Sequence, residues 1–175
     1  MFVQAIPYFR VSNQYVYIKN DLELNAATSN FYLRKGGQLL EVTTGSGANK
    51  GIRSLSVFQE GSVNNFQYNY WCSSVGNVEQ CTAVNNPFGI SQLGRPTKAT
   101  ATLPAAILAS NSYDGTASPL AIVPYWLYKF GNKTSYSDWV QLGLASTLTT
   151  AEGFTMKGSS SKIANRKSFG TGHPT

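Results

Sequence analysis

Few residues of this chain have the types and spacing that chemistry needs. There are eight carboxylates: Asp21, Glu23, Glu41, Glu60, Glu79, Asp114, Asp138 and Glu152. Glycoside hydrolysis needs two carboxyl groups about 5–10 Å apart across a cleft. Asp138 and Glu152, beside aromatic strands, are the one pair worth considering. The favoured reading is plainer: Asp138 caps a turn before Trp139, and Glu152 sits in a turn before Gly153. A Ser-His-Asp triad needs an imidazole, but the only histidine, His173, lies in the C-terminal tail, and there is no Gly-x-Ser-x-Gly elbow. Cys72 and Cys81 lack a His partner for nucleophilic work and cannot alone fill a four-ligand zinc site. Gly45-Ser46-Gly47 has neither the Lys-Ser/Thr nor the helix of a phosphate loop. Oxygen ligands cluster at residues 111–115, but Asp114 is the lone carboxylate there, so an Asp-Gly turn is expected rather than a calcium site. No catalytic residue, metal or cofactor is expected.

Binding offers more. Tyr68, Tyr70, Trp71, Trp126, Tyr128, Phe130, Tyr136 and Trp139 are rings that could stack on the apolar faces of pyranoses, with Asn and Gln on the hydroxyls. Alternation along Phe66–Cys72 assigns Phe66, Tyr68, Tyr70 and Cys72 to a core face. It leaves Trp71 with Gln67 and Asn69 on the polar face. Trp71, Trp126 and Tyr125 are therefore the candidate sugar-stacking residues, and most other rings are read as core. The two cysteines are separated by eight residues. Two readings stand: a Cys72–Cys81 disulfide closing a short loop, which export would permit, or two free thiols, one of them buried in the strand.

The elements that must position these residues are strands. Tyr15–Lys19, Asp21–Asn25, Phe31–Arg34, Gln38–Val42 and Leu55–Glu60 are short β-like pieces with short polar separators. Such spacing suits either an antiparallel meander or the edge of a β-solenoid. Thr43–Gly51 reads as a loop, Asn65–Cys72 as a strand, and residues 73–98 as irregular. Around Ala105–Ala109 a helical turn competes with strand or coil. Tyr125–Phe130 and Asp138–Leu142 form a hairpin, and Gly153–Lys157 is the last strand. No long stretch keeps apolar residues at helical spacing. The expected fold is all-β, an antiparallel β-sandwich-like domain. Residues 1–60 form a short-strand region, open to both the meander and the solenoid-like reading, 61–157 a sandwich-like region, and 158–175 a disordered basic tail that should be dispensable and easily clipped.

Composition agrees. The chain has 175 residues, enough for one sizeable core, and only 13% are charged, about half the usual share. Low charge with abundant Tyr, Thr, Asn and Gly suits an all-β surface protein. The net charge is +6, yet residues 1–156 carry 10 basic and 8 acidic groups. With the excess in the tail, specific nucleic-acid binding is not expected. No apolar run is long enough for a transmembrane helix, and the N-terminus lacks the charged and apolar regions of a signal peptide.

Several motifs occur in a fixed order. They are Leu55–Gly61, then Phe66-Gln67-Tyr68-Asn69-Tyr70-Trp71-Cys72-Ser73-Ser74-Val75-Gly76, then Asn86-Pro87-Phe88-Gly89. Trp126-Leu127-Tyr128 with Tyr136-Ser137-Asp138-Trp139 follows, and Ala151–Gly158 closes the series. Over roughly residues 12–158 this resembles a β-rich domain of very large secreted or cell-surface proteins of Bacteroidetes, especially flavobacteria, typically exported by type IX secretion. Ser74 stands where that family usually has Pro, and the family usually continues well beyond the position of Gly158. The resemblance implies an extracellular or outer-surface location and a fragment of a longer parent chain with neighbouring domains. The expected function is a non-catalytic structural or adhesion role. The alternative is a carbohydrate-binding module whose partners are polysaccharides or cell-surface components.

Overall fold

A computed structural model of the chain describes residues 8–25, 29–41, 50–51, 54–73, 87–109, 112–131, 134–149, 151–159 and 165–172. Strand β1 (Tyr8–Ser12) bends at Asn13 into β2 (Tyr15–Ile18) and leads to β3 (Glu23–Leu24). The path then repeats as β4 (Asn30–Arg34), β5 (Gln38–Glu41) and β6 (Lys50–Gly51), and β7 (Leu55–Gly61) opens a third pass. Every strand of the second pass lies parallel to its counterpart in the first: β1 on β4, β2 on β5, β3 on β6. β7 continues the stack parallel to β4. The antiparallel meander is thus replaced by solenoid coils, and parallel pairing brings like positions together. Phe9 meets Phe31 at 5.1 Å between ring centroids, and Phe31 is paired in turn with Leu55.

Backbone geometry at the corners makes the coils superpose. Ser12 pairs with Arg34, so Asn13 and Lys35 occupy the same corner, and both have positive φ (55° and 44°). The Asn13 N–H donates to the Lys35 carbonyl at 2.9 Å, tying one corner to the next. The second coil has one extra corner residue, Gly37. A Cβ there would lie 2.4 Å from the Val11 carbonyl oxygen, so only glycine lets this corner cross the coil below. Val11, Ile18, Leu22, Leu24, Phe31 and Leu33 fill the interior.

Beyond β7 the chain supplies β8 (Tyr68–Cys72), β9 (Phe88–Gly89), β10 (Gly94–Lys98), β11 (Ala101–Pro104) and β12 (Ala106–Ile107). Then follow β13 (Thr116–Ala117), β14 (Leu120–Ile122), β15 (Leu127–Phe130), β16 (Trp139–Gln141), β17 (Thr147–Leu148), β18 (Gly153–Lys157) and β19 (Asn165–Gly172). Helical geometry among the described residues is limited to three single 3-10 turns, Ile90–Gln92, Pro124–Trp126 and Tyr136–Asp138. The chain is all-β, as its lack of helical periodicity requires. β15 and β16 form the expected hairpin, in an antiparallel sheet of order β16-β15-β18-β8. β12, in the stretch where a helical turn competed, pairs parallel with β14.

Two expectations need correcting. Residues 165–172 are not a loose end. β19 pairs antiparallel with β7 from Asn165 opposite Gly61 to Gly172 opposite Leu55, and Ser168 pairs with Gly94 of β10. The reason is an edge. A parallel stack ending at β7 presents a row of unpaired N–H and C=O groups, and a strand needs no apolar payload to satisfy them. The division at residue 60 does not separate two bodies either. One sheet runs β1-β4-β7-β19-β10-β11, and one apolar cluster joins Phe31 and Leu55 of the coils to Phe88, Leu127 and Phe154.

A chain ending at Ser159 should therefore lose thermal stability, its midpoint falling by more than about 5 °C, and should scatter light on warming as the β7 edge is exposed. An unchanged midpoint with a clear solution would show that β19 does not close this edge.

Candidate functional site

The four-stranded sheet β16-β15-β18-β8 has one face on the core and one outside. Register places Asn69, Trp71, Phe154, Met156 and Leu127 in the rows of one face. All five are buried. The alternate rows hold Tyr68, Tyr70, Thr155, Tyr128 and Gln141, with Thr155 paired to both Tyr70 and Tyr128. These rows face outward and form the floor of an open cleft of about 420 Å³, lined by Tyr68, Tyr70, Trp126, Tyr128, Tyr136, Trp139 and Thr155.

The faces of β8 are thus the reverse of what alternation suggested. Trp71, expected to be exposed, is 8% exposed, while Tyr70 is 79% and Phe66 78% exposed. Counting apolar letters failed because the buried polar member finds a partner for its carbonyl: the Ser62 N–H donates to Asn69 Oδ1 at 3.2 Å, although Nδ2 is buried without one. Tyrosine, for its part, has a hydroxyl that favours a wet position. Trp71 is withdrawn as a stacking residue. Trp126 does line the cleft, half-buried, with its indole N–H donating to the Tyr113 carbonyl at 2.8 Å and the Lys157 ammonium 4.3 Å from its ring centroid. Tyr125 is exposed and packs edge-on against Trp126 at 4.6 Å, buttressing the cleft from outside its lining. Sequence reasoning raised Tyr68, Tyr70, Tyr128, Tyr136 and Trp139 as rings but assigned most of them to the core. The opposing strand carried the missing signal: Phe154 and Met156, two large apolar residues at alternate positions, fix which side of β18 is inner.

The cleft is packed at its base and open at its rim. Tyr68 meets Trp126 edge-to-face at 6.3 Å, and Trp139 leans on Phe130 at 5.2 Å. Tyr136, 90% exposed, stands on the 3-10 turn that Asp138 caps by accepting the Ser135 N–H at 2.9 Å. Partial burial, then the neighbouring phenols Tyr128, Tyr136 and Tyr125, push the Tyr68 pKa upward. Its hydroxyl therefore stays a neutral donor and acceptor at ordinary pH.

Two of the carboxylates serve turns. Besides Asp138, Glu152 accepts the Thr149 N–H at 2.9 Å and pairs with Lys129 at 3.0 Å. Burial pulls its pKa up, but the Thr149 bond and Lys129 outweigh that and leave it lowered. Asp114 accepts from Asn65 and lies 3.8 Å from Lys157, and no group of three or more ligating side chains occurs among the described residues. Cys72 is an exposed free thiol, and Cys81, its candidate disulfide partner, lies outside the described residues. No helix among the described residues is long and apolar enough to cross a membrane. Set against protein-family models, curated proteins and solved structures, the chain matches none.

Two outcomes follow. Trp71→Ala should cost about 3–5 kcal/mol in denaturant melts, and Tyr70→Ala less than about 1 kcal/mol; equal costs would mean the faces of β8 are misassigned. The lowered pKa of Glu152 contributes stability that is present above the unfolded carboxylate value and lost as pH falls through the folded one. Glu152→Gln should therefore remove about 1 kcal/mol or less at neutral pH and flatten the loss of stability below about pH 4.5, read from melts between pH 3 and 7.

Proposed function

We propose that this chain is a non-catalytic adhesion module of a secreted or cell-surface protein, and that it holds polysaccharide through the aromatic cleft. One observation carries the reading. Six aromatic side chains from strands and turns far apart in sequence converge on one open surface instead of on the core. Removing this much ring surface from packing costs the fold stabilisation, and a solvent-facing apolar surface of this kind marks a binding site. Pyranose rings present apolar C–H faces that stack on Tyr and Trp, while phenol hydroxyls suit sugar hydroxyls, as does the carbonyl oxygen of the Gln141 amide, whose Nε2 donates to the Tyr125 carbonyl at 3.3 Å. The resemblance to Bacteroidetes surface proteins supports an extracellular setting and neighbouring domains in a longer parent. The stacked coils support a role as spacer as well, since a solenoid is a stiff, elongated scaffold.

A glycan array with the full chain tests the reading, followed by titration of the best neutral oligosaccharide. Tyr70→Ala and Trp139→Ala should each weaken binding by about 1–3 kcal/mol, as for loss of a stacking ring, with little change in melting temperature. Absence of binding to any glycan, or binding indifferent to both substitutions, would leave the spacer role alone.

A further inference from the structure

The outer face of the coils carries a second feature, made of charge. Pairing puts Arg10 beside Tyr32 and Ser12 beside Arg34, on the strand positions that alternate with buried Val11 and Leu33. Lys35 follows at the corner. The β10–β11 hairpin brings Arg95 and Lys98 to the same place, so that five cationic side chains line one open cavity of about 660 Å³. No carboxylate lines it, and among the described residues none of the five is in an ion pair. The modest charge excess of residues 1–156 is thus concentrated, with half of their ten cations in this groove.

Two of the five are fixed. Arg34 is only 5% exposed, and its Nη1 donates to the Leu33 and Ser56 carbonyls and to Ser56 Oγ, its Nη2 to Thr102 Oγ1 at 3.0 Å. All these acceptors are neutral, and its Nε is buried with no partner. A charge embedded without a counter-charge is unfavourable, and further cations gathered around it make it more so. Arg95 is held by a bond to the Ser118 hydroxyl. Arg10, Lys35 and Lys98 are exposed.

We infer that this groove is a binding site for a sulfated polysaccharide, whose sulfate groups supply the missing counter-charge. Arginine forks match the oxygens of a sulfate or phosphate group, and lysines add charge at the rim. The cavity is larger than one oxoanion fills, and five positive charges call for several negative ones. A nucleic acid fits less well. Single strands are held by stacked rings, and among the described residues that line the cavity the one ring is Phe58, half-buried on the outer face of β7, while nearby Tyr32 is engaged by Arg34 at 4.9 Å. The inference rests on the carbohydrate reading in naming the acidic class of glycan, but it stands on a different surface, so the two can fail separately.

The test titrates the full chain with dextran sulfate, neutral dextran, inorganic sulfate, inorganic phosphate and a DNA duplex at low and physiological salt. Dextran sulfate is expected to bind at both salts and neutral dextran not to compete with it. Inorganic sulfate and phosphate should both displace it and raise the melting temperature. Combining Arg10→Gln, Lys35→Gln and Lys98→Gln should weaken dextran sulfate binding at least about tenfold without lowering the ligand-free melting temperature. Lys98→Gln alone should cost about threefold, while Lys19→Gln, which removes the same charge outside the groove, should stay within about 1.5-fold. Tyr70→Ala should leave dextran sulfate binding intact, so loss of neutral-glycan binding alone would indict only the aromatic cleft. The inference is overturned if dextran sulfate fails to bind, if the triple variant binds as the parent does, or if Lys19→Gln costs as much as Lys98→Gln. Equal affinity for the DNA duplex, lost in the same variants, would reassign the groove to nucleic acid.

Discussion

The backbone pairing of β19 with β7 is the constraint on which the rest of the molecule depends. Parallel coils satisfy their own main-chain groups internally but leave the last strand of the stack open. β19 fills that edge along the whole of β7 and then passes hydrogen bonding to β10. Without it the stacked coils and the later strands would share an apolar core but not a sheet. The pairing therefore fixes how the β10–β11 hairpin sits against the coils. The basic groove depends on that placement, because its walls come from β1 and β4 on one side and β10 on the other.

The second constraint is register between β8 and β18. Five consecutive pairs, from Gly153 opposite Cys72 to Lys157 opposite Tyr68, hold the two strands together. A shift by one residue would bury Tyr68 and Tyr70 and expose Trp71, exchanging core for cleft. Phe154 and Met156 prevent this, because both must reach the apolar cluster. The same alternation that packs the interior thus also displays the rings, and site and core are two faces of one sheet.

Much of the architecture was legible in the residues, for physical reasons that can be named. Strand-forming letters bounded by Gly, Asn and Lys marked β2, β4, β5, β7 and β18, and β15 and β16 were marked as a hairpin. Their direction of pairing was less accessible. A short strand followed by a polar corner reads the same in a meander and in a coil, and what decides is a positive φ at Asn13 and Lys35, which only a three-dimensional corner reveals. Strands of two residues, such as β9 and β17, carry no period at all. β19 was missed because its ordering comes from main-chain groups, which every sequence has, rather than from apolar side chains. The cleft was half legible: its rings were recognised, but the face they occupy is set by partners on other strands.

The distribution of the three tryptophans has a spectroscopic consequence. Trp71 lies inside the apolar core and should emit at short wavelength for as long as that core is intact. Trp126 and Trp139 line the cleft, where each meets solvent and anything that displaces it. The native chain therefore contains its own reference fluorophore and its own pair of reporters. Quenching by a small polar collider such as iodide would reach the pair and spare the reference, which separates occupancy of the surface from loosening of the fold without any attached label.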